Sequence, residues 1–155
     1  MPLNPWPPSR LMVSDQKIEG HCLCGAVTVR AEIEEQSLRA CHCNMCRRHT
    51  SGMFVSVAIV PNSLKVIGPA KSYRSSDWAE RGFCEICGST LWYGTVADGA
   101  RHPSAGLFHD AAGGKMEIEF FADMCPHGYA LAGEHRKMTT DETIALFAPE
   151  EGEAR

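Results

Sequence analysis

Residues 20–33 read Gly20-His21-Cys22-Leu23-Cys24-Gly25-Ala26-Val27-Thr28-Val29-Arg30-Ala31-Glu32-Ile33. The second half alternates. Val27, Val29, Ala31 and Ile33 fall on or near one face of an extended chain, with polar residues between them. A period of two is the pattern of a half-buried β-strand. The first half sets two cysteines one residue apart and follows them with glycine. One stretch therefore carries both a strand and half of a metal knuckle.

Residues 53–60 are apolar and β-branched and end at Pro61-Asn62, which predicts a second strand. Short strands are expected at 64–67, 72–75 and 90–93, and residues 116–121 alternate before turning fully apolar. Turn residues recur about every ten positions, the spacing of an all-β domain. Residues 94–114 form the longest loop-like stretch, with a short strand expected near Gly106-Leu107-Phe108. Helix is scarce. Residues 44–49 suit one turn, and Thr139-Thr140-Asp141-Glu142 resembles a capping box opening a short helix through Phe147.

The chain of 155 residues is long enough for one domain with a core of its own. Hydrophobic residues make up 44% and charged residues 22%, as in an ordinary globular protein. The net charge of -4 and the lack of a basic stripe argue against nucleic acid as a partner. No apolar run reaches the roughly 18 residues of a membrane span. The start, MPLNPWPPSRLMVSDQ, has no apolar signal region, so a cytoplasmic location is expected. Residues 1–15 read as a flexible N-terminal tail, 16–148 as one zinc-binding domain and 149–155 as a C-terminal tail. A homo-oligomer is compatible with the sequence.

Eight cysteines without a signal sequence point to metal or redox chemistry rather than a disulfide framework. Cys22-x-Cys24-Gly25 and Cys84-x-x-Cys87-Gly88 each place two sulfurs on one side of a tight turn. The glycine allows the turn and lets backbone N–H groups aim at thiolates. Two such pairs close a tetrahedral four-cysteine zinc site. The alternatives are a disulfide, two buried apolar cysteines, or a redox pair; the last needs a βαβ context that this chain lacks.

Cys41-His42-Cys43-Asn44-Met45-Cys46-Arg47 lies between the two pairs. Alternation puts Cys41 and Cys43 on one strand face, and a turn brings Cys46 round as a third ligand. Three protein ligands leave a fourth tetrahedral position open, which is the catalytic arrangement of zinc, able to hold water or an external thiolate. The alternative is a second structural site closed by His42, His49, His109, Cys125 or His127. Cys125, alone before Pro126, reads as an apolar filler. His102, His109 and His127 read as solvated surface, and Trp78, Trp92, Tyr73 and Tyr93 mostly as core, with one or two lining a pocket. Arg47 and Arg48 are candidates to bind carboxylates of a small anionic ligand, against the alternative of a solvated turn.

Together these motifs carry a specific resemblance. Gly20-x-Cys22-x-Cys24-Gly25-x-Val27, then Cys41-His42-Cys43-x-x-Cys46-Arg47, then Arg81-Gly82-Phe83-Cys84-x-x-Cys87-Gly88-Ser89-x-Leu91, resembles the glutathione-dependent formaldehyde-activating enzyme family over roughly residues 16–147. The resemblance implies a mainly β fold, the β-tent: antiparallel sheets pinned by a structural zinc, with little helix. It implies structural zinc on Cys22, Cys24, Cys84 and Cys87, and catalytic zinc on Cys41, Cys43 and Cys46, two zinc ions per chain. It further implies a carbon–sulfur lyase that joins glutathione, or another small thiol, to formaldehyde or another small aldehyde. Leu107-Phe108-His109-Asp110, Met116-Glu117 and Met124-Cys125-Pro126 depart from the family pattern, so the zinc chemistry carries over better than the substrate. The rival implication is a β-tent binding or chaperone module, with zinc purely structural.

Overall fold

The computed structural model describes residues 16–147. Both expected tails, and residue 148 of the expected domain, lie outside the described residues. In chain order the elements are β1 (Gln16–His21), β2 (Thr28–Ile33), β3 (Ser37–Cys41), α1 (Asn44–Thr50), β4 (Phe54–Val57), β5 (Lys65–Ile67), β6 (Ala70–Arg74), β7 (Ala79–Cys84), β8 (Thr90–Thr95), β9 (Arg101–Pro103), β10 (Lys115–Phe120), β11 (Arg136–Lys137) and α2 (Thr140–Phe147). The fold is mainly β, as the turn spacing and alternation predict.

The strands form three sheets, ordered β1-β2-β5, β11-β10-β3-β4 and β6-β7-β8-β9. The first and third are antiparallel throughout. The second contains two parallel pairings, β10 with β3 and β10 with β11, where only antiparallel sheets were expected. These strands join the sheet through long connections rather than hairpins, so strand direction is not dictated by a local turn.

The alternation read in residues 26–33 holds. Val27, Val29, Ala31 and Ile33 are all buried, and the first two and Ile33 meet Val57, Leu91, Trp92, Leu107 and Phe108 in the core. Cys22 and Cys84 belong to the same core cluster, so the first member of each cysteine pair is anchored in packed apolar surroundings. An isolated bridge between Ser56 and Ser104 links the second sheet to the chain beyond β9.

Local expectations fared unevenly. Residues 105–107 form a 3-10 turn rather than a strand, and the strand of that stretch is β9 instead. Helix α1 is longer than the single turn expected. The capping box at α2 is present: Thr139 N–H donates to Glu142 Oε2 at 2.7 Å, and Glu142 N–H to Thr139 Oγ1 at 3.3 Å. Trp92 is buried, whereas Trp78 and Tyr73 are exposed. Among the described residues no helix is long and apolar enough to cross a membrane.

Candidate metal centres and the cavity beside them

The two cysteine pairs meet. Cys22 and Cys24 follow β1, Cys84 ends β7 and Cys87 lies in the turn before β8. Their four sulfurs lie within 4.8 Å of one another. Cys22 and Cys24 sulfurs are 3.5 Å apart, and those of Cys24 and Cys84 3.9 Å. Metal–sulfur bonds of about 2.3 Å in a tetrahedron require sulfur–sulfur edges of about 3.8 Å, so the donor set and its spacing fit a divalent metal.

Gly25 and Gly88 both adopt positive φ, 77° and 74°, which a side chain would disfavour. The Gly25 N–H closes the turn on the Cys22 carbonyl, and the Gly88 N–H closes its own on the Cys84 carbonyl. The N–H that reaches a sulfur comes from further along: Val27 donates to Cys22 Sγ at 3.2 Å. Ser89 joins the two knuckles, its hydroxyl 3.2 Å from Cys87 Sγ while accepting the Leu23 N–H at 3.0 Å. The Ser89 hydroxyl, and then the backbone N–H groups of Ser89 and Cys24, pull the Cys87 thiol down to about 5. A thiol so lowered is already a thiolate at neutral pH, the form a metal needs.

The sulfurs of Cys41, Cys43 and Cys46 also lie within 4.8 Å of one another. The route differs from the expected one. Only Cys41 is in a strand, the last residue of β3. Cys43 is the N-cap of α1, its sulfur accepting the Cys46 N–H at 3.4 Å, and so does not share a strand face with Cys41. Cys46 is buried in the first turn of α1. Thiol hydrogen bonds from Cys41 and then Cys46 hold the Cys43 sulfur well below the ordinary thiol range, against the opposing effect of burial, and Arg81 assists. Hydrogen bonds with Cys43 and then Cys46 push Cys41 far up, because one thiolate among three close sulfurs disfavours a second.

Among the described residues no fourth histidine, cysteine or carboxylate joins this triad. The proposed closing ligands are engaged elsewhere or lie apart. His42 Nε2 meets Glu119 Oε2 at 2.7 Å, His49 Nε2 lies 3.4 Å from Thr90 Oγ1, and Cys125 Sγ faces the Tyr129 carbonyl at 3.5 Å. His109 and His127 are exposed, as expected. His102 is not solvated surface: it is half-buried and stacks on Tyr93, with ring centroids 5.8 Å apart.

Two cavities flank α1. One, of about 300 Å³, is lined by Met45, Arg48, His49, Tyr73, Ser75, Arg81 and Phe83. The other, of about 310 Å³, is lined by Asn44, Arg47, Arg48, Ser51, Pro126 and Tyr129. Arg48 borders both and has no polar partner among the described residues. Arg47 is partly committed to its own turn, donating to the His42 carbonyl at 3.0 Å and to Asn44 Oδ1 at 2.5 Å. Burial, and then the charge of Arg81, lower the basicity of His49.

Two features lay beyond the sequence reading. Arg81 stood in a quoted motif without a role, yet it donates to Cys46 Sγ at 3.2 Å. Glu119 takes hydrogen bonds from His42 and His135 in a buried site. The available signal was a glutamate in an otherwise apolar strand end.

A mainly β domain with one four-cysteine and one three-cysteine cluster, each able to hold a metal ion, defines the class of protein. The sequence profile of the glutathione-dependent formaldehyde-activating enzyme family matches residues 17–124, and the chain belongs to that family. It is 35% identical over 132 residues to an uncharacterized lyase of Schizosaccharomyces pombe, covering 81% of this chain and 93% of that one. A crystal structure of a Rhodobacter sphaeroides protein shares the fold, with a TM-score of 0.51 at 18% identity, covering 78% of this chain and all of the other.

Proposed function

We propose that the protein is a zinc-dependent carbon–sulfur lyase-type enzyme. Its substrate is the adduct of a small thiol, glutathione or one like it, with formaldehyde or another small aldehyde. The observation that carries this reading is the triad: three sulfurs converge with no fourth protein ligand among the described residues, beside a cavity lined by Arg48 and Arg81. Membership of the family and the lyase name of the yeast relative support the reaction class. In this reading Cys22, Cys24, Cys84 and Cys87 hold structural zinc, and Cys41, Cys43 and Cys46 hold catalytic zinc. Residues 16–148 form one cytoplasmic zinc-binding domain.

When bound at the triad, zinc supplies one open coordination position that favours the deprotonated form of an incoming thiol. The remaining work belongs to the chain. Arg48, and Arg47 beside it, pair with carboxylates of the thiol and fix its orientation. The walls formed by Met45, Tyr73 and Phe83 hold the aldehyde against the sulfur. In the synthetic direction a sulfur–carbon bond forms as the carbonyl π bond opens, and the thiol's proton ends on the carbinol oxygen. His49 lines the same cavity, and its lowered basicity keeps it neutral at pH 7, so its ring can hold that proton in transit.

X-ray absorption at the zinc edge tests the reading. Adding glutathione to the zinc-loaded protein raises the mean sulfur coordination per zinc if the triad accepts a thiol. An unchanged sulfur count rules out the glutathione reading.

A further inference from the structure

We propose that Arg81 is a positioning residue that balances the charge of the three-cysteine site, so that the site admits a fourth ligand that is itself anionic. The inference rests on the reading that the triad holds a divalent metal with an open position. It concerns which ligands that position accepts.

Arg81 is 5% exposed, in the middle of β7. A guanidinium withdrawn from water needs a counter-charge, because an unpaired buried cation is strongly unfavourable. Among the described residues no carboxylate forms an ion pair with it, whereas Arg30 pairs with Glu19 and Arg101 with Glu80. Its contacts are of another kind. Nη1 donates to Cys46 Sγ at 3.2 Å, Nε donates to Ser75 Oγ at 3.3 Å, and its guanidinium carbon lies 4.8 Å from the Tyr93 ring centroid. Ser75 and Tyr93 are neutral, and they hold the guanidinium in place without consuming its charge. The acidic group it touches is a triad sulfur.

Charge arithmetic gives this contact its consequence. Three thiolates and a divalent cation sum to one negative charge. A water in the fourth position leaves that sum unchanged, and a thiolate raises it to two. Adding a second negative charge to a partly buried cluster is disfavoured, and a fixed cation at hydrogen-bond distance offsets that penalty. Arg81 therefore discriminates by ligand charge: it favours a thiolate over a neutral ligand in the same position. Arg81 also lines the cavity of about 300 Å³ beside α1.

The test uses the full chain loaded with cobalt(II) at both sites, titrated with 2-mercaptoethanol. This thiol has no carboxylate, so Arg47 and Arg48 do not enter the comparison. Sulfur-to-cobalt charge-transfer absorption reports binding, and near-UV circular dichroism reports folding. Arg81→Met should weaken thiol binding about 10- to 100-fold, the usual effect of removing a residue that supports a metal ligand. Arg81→Lys, which keeps the charge, should recover most of that loss. Ser75→Asp sets a competing carboxylate beside Nε and should weaken binding with Arg81 still present; it carries the test if Arg81→Met does not fold. Native thiol affinity in folded Arg81→Met or in Ser75→Asp overturns the proposal, as does Arg81→Lys binding as weakly as Arg81→Met. If the unaltered protein shows no thiol-dependent absorption, the thiol reading of the site falls and this proposal with it. If the unaltered protein binds thiol and the variants bind equally well, Arg81 alone is misassigned.

Discussion

The Glu119 carboxylate lies 2.7 Å from Nε2 of His42, and both side chains are closed to solvent. Its other oxygen takes a hydrogen bond from His135. His42 sits between Cys41 and Cys43, and β10 delivers Glu119 opposite Ala40 of β3. The carboxylate thus holds the backbone between two candidate metal ligands from behind. Among the described residues His42 Nδ1 has no partner, and the carboxylate is that ring's one polar anchor. Glu119→Ala leaves two buried histidines unpaired and should cost about 3 kcal/mol or more in urea denaturation.

The same carboxylate makes stability depend on acid. Burial, the largest influence, pushes the Glu119 carboxyl up, but hydrogen bonds from His135 and His42 together outweigh it and hold it below 4.5. A folded value below the unfolded one means that the stabilisation is complete above the unfolded value. It is lost as pH falls through the folded value. The denaturation midpoint should therefore fall with acid below about pH 4.5, and Glu119→Gln should flatten that slope.

Gly82 and Trp92 face each other across β7 and β8, and a Cβ on Gly82 would stand 2.1 Å from the indole. The ring cannot retreat freely. Arg101 covers it at 4.5 Å, and its Nε1 donates to Glu80 at 3.3 Å. Gly82→Ala should therefore displace the indole and cost about 1–3 kcal/mol, as overpacked cores do. A red shift of tryptophan fluorescence together with a lowered denaturation midpoint checks this.

Thr139 caps α2 through reciprocal bonds with Glu142. Thr139→Ala should cost about 1 kcal/mol, read from the thermal midpoint. The α2 pair also shows what the sequence can reveal. A cap, a strand face such as Val27, Val29 and Ile33, and a cysteine knuckle are local patterns whose spacing is itself the physics. Arg81, Glu119 and His42 belong to the other kind. Their roles arise only when β7 meets α1 and β10 lies parallel to β3, and no local spacing encodes those meetings. Cys43 fell between the two. Alternation suggested a strand face, but its sulfur accepts the Cys46 N–H and starts a helix instead.

That cap decides how the two cysteine clusters should differ under mutation. Cys84 is fully buried in the core, and with Cys24 it joins chain segments sixty residues apart. Losing it removes a core contact and, in the two-zinc reading, the metal that closes that long loop, whose binding free energy is part of folding. Cys84→Ser should therefore unfold cooperatively at much lower denaturant, or not fold. Cys43 is half-buried in a loop that closes locally, and serine is itself a favoured N-cap. Cys43→Ser should keep α1 and the native circular dichroism while losing one of two zinc ions and the thiol response. Elemental analysis of purified protein reads the metal count directly. Two zinc ions in the unaltered chain and one in folded Cys43→Ser is the expected result. One zinc in both would make the triad metal-free and return the protein to a structural-zinc binding module.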